Sequence, residues 1–237
     1  PQFACAVCGD TGYDGSRVCE CVRRKHNAYL YNKSGLGKVL AGQSFDSFEL
    51  GYYSMAASRA VNGVTERENM QSIVACCKRA ARQIGPRCVN LLLMGGTGLG
   101  KTYLSACIAR VVAGAGYAVA YETAASAFDA FECAKFQRGS ADGEAAAQRV
   151  EQYLGCDLMI LDDLGTEMIT AYSTSALYTL INTRLTRAKA TIISTNCSNE
   201  ELQKKYTPQI LSRIEGEYQT LPFVGRDIRQ IKKEREA

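Results

Sequence analysis

A glycine-rich octet, GGTGLGKT at residues 95–102, constrains this chain more than any other stretch. An apolar run from Val89 to Met94 precedes the octet, and a helical pattern of apolar residues follows it. This order of strand, glycine loop and helix is the context in which a P-loop binds phosphate. Glycines let backbone N–H groups surround phosphate oxygens, and the positive end of the following helix favours an anion. We therefore predict a nucleoside triphosphate site here, rather than a glycine turn that matches by chance.

The octet supplies most of the predicted nucleotide-binding residues. Lys101 places a positive charge beside the β- and γ-phosphates, and the hydroxyl of Thr102 is a ligand for Mg²⁺. A second magnesium ligand is expected from Asp162, in a later segment. The complete predicted set for ATP and Mg²⁺ is Gly95, Gly96, Thr97, Gly98, Leu99, Gly100, Lys101, Thr102 and Asp162.

Two carboxylates end an apolar strand pattern, LMILDD at residues 158–163. Because a buried strand holds its side chains rigidly, Asp162 is predicted to bind Mg²⁺ beside Thr102, and Asp163 to orient and polarise the attacking water. The alternative is a turn or a helix cap formed by the same pair. Glu167 is a weaker candidate for this neighbourhood, and a surface salt bridge is an equal alternative for it.

Asn196 ends another strand pattern, IISTN at residues 192–196. An amide at this point can hydrogen-bond the γ-phosphate or the attacking water, and so report hydrolysis. A simple strand-end turn is the alternative interpretation.

Arg213 lies in a short helical pattern after Pro208. An arginine there can complete the ATP site of a neighbouring subunit as an arginine finger. Pairing with the nearby Glu215 or Glu217 is the alternative, and Arg229 is a weaker candidate. The predicted catalytic residues are therefore Lys101, Asp163, Asn196 and Arg213.

Four cysteines are clustered near the N-terminus, as Cys5-x-x-Cys8 and Cys19-x-Cys21. A C-x-x-C turn brings two sulfurs to one ion, and the second pair completes the tetrahedron of a structural zinc site. So short a segment cannot bury a core of its own, and metal binding would supply its stability. Unpaired thiols or a redox pair are the alternatives, but a redox pair leaves the second two cysteines unexplained. His26 is an alternative ligand, although a surface histidine is favoured.

The composition limits the class of protein. The chain has 237 residues and a net charge of +4, which permits an acidic partner such as nucleic acid without arguing for one. No run is apolar and long enough for a membrane span, and no secretory signal is visible, so we expect a cytoplasmic protein without a membrane partner. In that reducing compartment, the remaining cysteines are predicted to be small buried hydrophobic residues: Cys76, Cys77, Cys88, Cys107, Cys133, Cys156 and Cys197.

The order of patterns predicts two units along the chain. Residues 1–40 form the zinc-binding module with a linker rich in glycine and lysine at 33–38, and residues 41–237 form one α/β domain. Strands are predicted at residues 89–94, 117–122, 158–161, 191–195 and 220–224. Helices between them, including residues 64–84 and a broken helix over 124–154, imply a parallel sheet with right-handed crossovers. The predicted phosphate-site residues fall at the carboxyl ends of the strands, where such sheets bind ligands.

Five segments together carry a resemblance to a known family. They are GGTGLGKT, LMILDDLGTE at 158–167, IISTN at 192–196, ILSRIEGEYQTLPFVGRDIR at 210–229 and SFDSF at 44–48. They resemble the AAA+ helicase loaders of the DnaC/DnaI type and their relatives, the IstB transposition helpers; the cysteine module also resembles that of DnaI-like loaders. The resemblance implies a P-loop AAA+ core with a five-stranded parallel sheet flanked by helices, a reduced or absent lid, and a small zinc-binding module in front. It also implies that Asn196 is sensor 1 and that Arg213 acts in trans.

The resemblance implies an ATPase of DNA replication, with ATP, Mg²⁺ and Zn²⁺ as cofactors. Its expected partners are a hexameric replicative helicase, single-stranded DNA and further copies of the chain through a shared ATP site. The segment Phe128–Arg138 suits DNA contact, because aromatic residues alternate with Lys135 and Arg138, although its phenylalanines suit a core equally well. Loaders usually carry a helicase-binding N-terminal domain, yet four residues precede Cys5. Either that domain was removed, or the metal module engages the helicase itself.

Three functions are therefore weighed. The leading hypothesis is a replicative-helicase loader driven by ATP. The second is a transposition helper ATPase that assembles on duplex DNA and recruits a transposase. The third is a nucleotide-dependent scaffold that hydrolyses ATP poorly and acts through its zinc module. The cysteine module favours the loader over the transposition helper.

Overall fold

The structure is a computed structural model that describes residues 3–33, 42–56, 61, 63–85 and 87–236. The linker predicted at 33–38 lies outside these residues from residue 34 onward, as does the predicted boundary between residues 40 and 41. The described chain begins with an antiparallel hairpin of β1 (Tyr13–Asp14) and β2 (Arg17–Val18), followed by α1 (Glu20–Lys33).

A five-stranded sheet forms the centre of the second unit. Its strands are β3 (Leu91–Met94), β4 (Val119–Thr123), β5 (Leu158–Leu164), β6 (Ala190–Thr195) and β7 (Gln219–Pro222). They lie in the order β4-β5-β6-β3-β7, and all neighbours pair in parallel. The unbroken apolar runs of β3, β5 and β6 follow from this arrangement, since helices cover both faces of the sheet.

Helices and one short 3₁₀ turn connect and cover the strands. They are a 3₁₀ turn (Leu50–Tyr52), α2 (Glu66–Gln83), α3 (Lys101–Gly114), α4 (Ala124–Phe136), α5 (Ala141–Gly155), α6 (Ala171–Thr186), α7 (Asn199–Lys205), α8 (Pro208–Glu217) and α9 (Ile228–Glu236). Within the described ranges, α9 follows β7. None of the helices described is both long enough and apolar enough to cross a bilayer.

The core is divided between the two faces of the sheet. Side chains alternate along a strand, so Leu91 and Leu93 pack with α2 and α3 on one face, while Leu92 packs on the other. The broken helix predicted over 124–154 is the pair α4 and α5, and Phe128 and Phe131 of α4 lie in the second core. These two phenylalanines are therefore core residues, as one of the two interpretations of their segment expected.

The N-terminal module packs against the sheet domain through α1. The amide of Asn27 donates a hydrogen bond of 2.8 Å to the carbonyl of Gly116, in the turn between α3 and β4. The side chain of Arg24 lies where a Cβ at Gly116 would point, so this glycine permits the close approach. The four-cysteine module is thus attached to the end of the helix that begins at the P-loop.

Candidate nucleotide-binding site

The P-loop joins β3 to α3 through residues 95–100. Gly98 has a φ of 70°, and a Cβ there would clash with the carboxylate of Asp227, just before α9. Gly100 caps α3 with a φ of 93°, a left-handed conformation that glycine adopts without strain. The glycines predicted from the sequence therefore serve the loop's own geometry and its contact with the C-terminal segment.

A cleft of about 490 Å³ lies over the P-loop. The carboxyl ends of β3, β5 and β6 border it, and α9 closes one side. Its lining residues are Gln43, Thr97, Gly98, Leu99, Gly100, Lys101, Thr102, Tyr103, Asp163, Asn196, Ile228, Arg229 and Lys232. This volume is within the range of small-ligand sites.

The ammonium group of Lys101 is folded back over the loop. Lys101 is 5% exposed, and Nζ donates to the carbonyls of Gly95 and Gly96 at 2.6 Å and to Oδ1 of Asn196 at 2.7 Å. Burial lowers the pKa of Lys101, while the charges of Asp163 and Asp162 oppose that shift. The ammonium group is therefore hydrogen-bonded at the wall of the cleft. From this position it can reach a phosphate of a ligand in the cleft.

Three hydroxyl groups fix the carboxylate of Asp162, which is 2% exposed. Oδ2 accepts hydrogen bonds from Thr102 at 3.1 Å and from Tyr121 at 2.7 Å, and Oδ1 accepts one from Ser194. The strand end and the first turn of α3 therefore bring Asp162 and Thr102 together, as predicted. Hydroxyl and carboxylate oxygens are the ligands that Mg²⁺ prefers, so this pair fits that ion.

Asp163 lies in an irregularity between β5 and β6, where the register shifts between Leu161 and Leu164. Its φ is 55°, which is uncommon for a residue with a side chain, and its N–H donates to Ser194 Oγ at 3.0 Å. Such a bulge redirects a side chain, here into the cleft. Burial and the neighbouring Asp162 charge raise the pKa of Asp163 above its ordinary value, against the opposing effect of Lys101.

Asn196 connects the cation and the carboxylate. Its Oδ1 accepts from Lys101, and its Nδ2 donates to Oδ1 of Asp163 at 3.3 Å. The structure therefore brings Lys101, Asp163 and Asn196 into one contiguous network at the ends of three strands.

Arg213 and Glu167 lie apart from this network. The guanidinium of Arg213, on α8, lies 5.6 Å from the ring centroid of Tyr178, beside a separate surface depression. Among the residues that the structure describes, it forms no ion pair with Glu215 or Glu217. Glu167 accepts hydrogen bonds from the Gly165 N–H at 2.8 Å and from the Tyr206 hydroxyl, so it fastens the loop after β5.

Several residues in or beside the cleft had little or no role in the sequence-based prediction. Tyr121 and Ser194 hold Asp162, and both lie near a strand end, which was the available signal. Lys232 and the weakly weighted Arg229 line the cleft from α9. Their position depends on how α9 folds back over the P-loop, which no local pattern predicts.

The four N-terminal cysteines converge on one point. Their Sγ atoms all lie within 4.8 Å of one another, with 3.9 Å between Cys5 and Cys19 and 3.6 Å between Cys8 and Cys21. Zinc bonded tetrahedrally to four sulfurs at about 2.3 Å requires sulfurs about 3.8 Å apart, so the cluster fits that ion. Backbone hydrogen bonds from Cys8 and then Val7 lower the pKa of the Cys5 thiol to about 7.

His26 and the scattered cysteines lie outside the nucleotide site and the sulfur cluster. His26 is exposed on α1 and is not part of the sulfur cluster. Four of the scattered cysteines are buried as predicted: Cys76, Cys77, Cys107 and Cys156. The prediction was wrong for Cys88, which is exposed, while Cys133 and Cys197 are half-buried.

Comparison with protein families gives this geometry a context. A family model described as "IstB-like ATP binding protein" matches residues 80–235. The chain belongs to this family. Membership of a family of ATP-binding proteins implies that this IstB-like chain binds ATP. A further relative is the uncharacterized protein YdaV of Escherichia coli (strain K12), which is 20% identical over 205 residues, 85% of this chain and 75% of YdaV.

Solved structures share the fold of this IstB-like chain. The DnaC helicase loader superposes with a TM-score of 0.62 and 17% identity over 79% of this chain and 99% of that one. DnaI superposes with a TM-score of 0.60 and 18% identity, over 80% of this chain and 92% of DnaI. The replication initiator DnaA bound to AMPPCP and single-stranded DNA superposes with a TM-score of 0.60 and 18% identity, over 81% of this chain and 55% of DnaA. The chain spans 54% of a matched DNA replication initiation factor. The shared feature is the fold, a five-stranded parallel sheet with helices on both faces.

Proposed function

We propose that this chain is an ATP-dependent loader of a hexameric replicative helicase onto single-stranded DNA, and that it acts in DNA replication. The observation that carries the ATPase part is the convergence of Lys101, Asp162, Asp163 and Asn196 at one cleft. The loader part is supported by the fold shared with DnaC and DnaI, and by the four-cysteine module in front of that fold.

In this proposal Lys101 exchanges partners when the nucleotide binds. Nζ leaves the carbonyls of Gly95 and Gly96 for β- and γ-phosphate oxygens, while the N–H groups of the loop surround the phosphates. The cation is already partly removed from water, so little desolvation accompanies the exchange.

Thr102 and Asp162 would hold Mg²⁺ beside the phosphates. When bound, the ion neutralises phosphate charge. Tyr121 and Ser194 keep the Asp162 carboxylate in one orientation, the usual task of groups that surround metal ligands.

Asp163 would accept the hydrogen bond of the attacking water. Its raised pKa moves the carboxylate towards the range in which it accepts a proton effectively. Asn196 contacts both Lys101 and Asp163, so loss of the γ-phosphate would change its hydrogen bonds. Asn196 is therefore the residue proposed to report hydrolysis.

Arg213 would complete the site of a neighbouring copy. It lies outside its own cleft, is half-buried and rests against Tyr178. Among the residues that the structure describes it has no carboxylate partner, so its guanidinium is available for an anion. This proposal includes self-association through a shared ATP site.

Measurement of ATPase activity with and without single-stranded DNA tests the shared site. When each variant is assayed by itself, the ATPase activity of Arg213→Ala and that of Lys101→Ala should be at least 100-fold below the wild type. Their mixture should regain activity, because one subunit supplies the lysine and the other the arginine. Arg79→Ala, which alters an exposed cation on α2, is the control and should match the wild type. An Arg213→Ala protein as active as the wild type would contradict the proposal of a shared ATP site.

The DNA contact is proposed at the end of α4 and the start of α6. Phe136 is 64% exposed, and its ring lies 5.5 Å from that of Tyr172. Lys135 Nζ lies 5.3 Å from the Phe136 ring and 5.0 Å from the Tyr172 ring. Lys135, Arg138 and Tyr172 line one surface groove. Exposed rings stack on bases and the cations hold phosphates, which suits single-stranded DNA.

Binding of a fluorescent oligonucleotide at several salt concentrations tests this surface. The double variant Lys135→Ala, Arg138→Ala should weaken binding and reduce its salt dependence by about two charges, and Phe136→Ala should weaken binding about 5- to 100-fold. Arg79→Ala serves again as the control. Unchanged affinity in both variants would place the DNA elsewhere.

The cysteine module is proposed to hold zinc and to contact the helicase. Apolar side chains exposed on it form a surface suited to a protein partner: Phe3, Val7, Tyr13 and Val18. Metal analysis should find one zinc per chain, lost in Cys8→Ser but kept in the control Cys88→Ser. A metal-free wild type with an intact fold would contradict the zinc site.

The second candidate, a transposition helper, is favoured by the IstB-like family match itself. Pull-down against a hexameric helicase and a transposase separates the two, because each predicts capture of a different partner. The scaffold hypothesis predicts that wild type turns over ATP no faster than Asp163→Asn.

A further inference from the structure

The carbonyl groups of the P-loop have hydrogen-bond donors, whereas most of its N–H groups have no acceptor. The loop's lysine holds the first two carbonyls, the N–H of Ile228 donates to the carbonyl of Gly98 at 3.0 Å, and the hydroxyl of Tyr53 donates to the carbonyl of Leu99 at 2.9 Å. The N–H groups of residues 96–100 donate to no acceptor among the residues that the structure describes. Such N–H groups are ready to bind an anion.

Tyr53 reaches the loop from the core and is itself held firmly. It is 2% exposed, and its ring stacks on that of Phe48 with 6.0 Å between centroids. Its N–H donates to the carbonyl of Leu50 at 3.1 Å, and its carbonyl accepts a hydrogen bond of 3.2 Å from Arg67. Burial raises the pKa of Tyr53, so the hydroxyl remains protonated and can only act on the loop as a donor.

The hydrogen bond from Tyr53 fixes the direction of the next N–H in the chain. The loop's peptide bonds are trans, so the carbonyl of Leu99 and the N–H of Gly100 point to opposite sides of one plane. Leu99 and Gly100 line the cleft, whereas Tyr53 packs in the core, so the N–H of Gly100 points away from the core. Gly100 tolerates either sign of φ, and this peptide is therefore able to rotate when no donor holds its carbonyl.

We propose that Tyr53 is a positioning residue for the nucleotide: its hydroxyl holds the Leu99 carbonyl on the core side, so that the N–H of Gly100 points at a phosphate oxygen. This inference rests on the proposed nucleotide site and adds to it a residue that orients its backbone. Lys101 releases its loop carbonyls when phosphate binds, whereas the Tyr53 hydrogen bond lies on the far side of the peptide and persists. Tyr53 thus prepares the loop before the nucleotide arrives.

Removal of the hydroxyl alone tests this role. Tyr53→Phe keeps the ring, and the equilibrium Kd of the full chain for Mg²⁺-ATP should rise about tenfold, because the N–H of Gly100 loses its fixed direction towards a charged oxygen. Tyr153→Phe is the matched control, since Tyr153 is 3% exposed and its hydroxyl also makes one hydrogen bond of 2.9 Å, to Glu122. The control should bind ATP as the wild type does, with a decrease in Tm comparable to that of Tyr53→Phe.

A spectroscopic signature separates positioning from a loss of stability. In protein labelled with ¹⁵N-glycine, the amide proton signal of Gly100 should move downfield when Mg²⁺-ATP binds to the wild type, and should move clearly less in Tyr53→Phe at saturating ATP. A Tyr53→Phe protein that binds ATP as tightly as Tyr153→Phe, or that shows the full wild-type shift at Gly100, overturns the positioning role and leaves the nucleotide site intact. A wild type that does not bind Mg²⁺-ATP overturns the proposed function and this inference together.

Discussion

Two buried cations, Lys101 and Arg184, show how differently one fold can use a charge. Arg184 is fully buried, and its guanidinium donates to the carbonyls of Tyr153, Cys156 and Ala190 and to the hydroxyl of Thr191. Two of those carbonyls belong to the end of α5, where the helix dipole favours a cation. Arg184 is thus satisfied by groups inside the protein, away from any open cleft.

Lys101 has a comparable number of hydrogen bonds but a different setting. Lys101 and its partner Asn196 line an open cleft, and two carboxylates lie close enough to influence the pKa of Lys101. Water or a ligand can replace those partners. The comparison teaches that burial of a charge alone does not identify a functional site; exchangeable partners beside a cavity do.

The largest effect is expected from matched substitutions of the two cations by methionine. Arg184→Met should lower the free energy of unfolding by about 3–5 kcal/mol, because several buried carbonyls lose their donor. Lys101→Met should change it by less than about 1 kcal/mol, since the released carbonyls can bind water in the cleft. Urea denaturation without nucleotide measures both values. Equal losses in the two variants would break the distinction.

Asp163→Asn alters a residue of the cleft beside Lys101, and it should change protein stability and ATP turnover in opposite directions. Turnover of ATP is expected to fall at least 100-fold, because an amide does not accept the proton of the attacking water. The raised pKa means that charging Asp163 at pH 7 opposes folding, and asparagine also tolerates the positive φ. The variant should therefore be more stable than the wild type, with a higher Tm. Asp129→Asn, at an exposed position of α4, should change neither quantity.

Tyr121→Phe tests whether the Asp162 carboxylate needs its hydroxyl donors to bind Mg²⁺. It removes one of three hydroxyl donors to Asp162, so the Mg²⁺ concentration for half-maximal ATPase activity should rise about tenfold. Tyr153→Phe, which removes a hydroxyl bonded to Glu122, is the control outside the cleft. An equal response in both variants would indicate a general loss of packing.

The acid limb of the pH–rate profile gives the smallest effect. The carboxylate of Asp163 is needed, and its pKa is raised by burial first and by Asp162 second. Activity should therefore decline, as pH falls, at a higher pH than an ordinary aspartate would give. The residual activity of Asp163→Asn should lack this limb, whereas a limb that stays in the variant would assign the titration to another group.

The sequence predicted the elements whose signal is local. The P-loop, the Asp162–Asp163 pair and the strand ending at Asn196 follow from apolar runs and residue order, and the sheet follows from their alternation with helices. The cysteine cluster follows from spacing alone. Within the fold, the strands deviate from their predicted bounds by a few residues, as for β7 at Gln219–Pro222.

Features set by tertiary contact could not be predicted in this way. Gln43 and Arg229 reach the cleft from segments far apart in the chain, and Arg184 reads as an ordinary surface arginine of an amphipathic helix until its burial is known. The aromatic segment at residues 128–138 divided between core and surface because the turn of α4, not its composition, decides which ring faces inward.

The central claim is that the cleft over the P-loop binds ATP through Lys101. The most direct measurement is an equilibrium titration of Mg²⁺-ATP with the wild type and with Lys101→Ala. The matched control is Lys189→Ala, which disrupts a partly exposed ion pair with Asp157. The wild type and Lys189→Ala should bind with equal affinity, and Lys101→Ala should lose at least 100-fold while its fold is unchanged. Binding by Lys101→Ala as tight as that of the wild type would contradict the account.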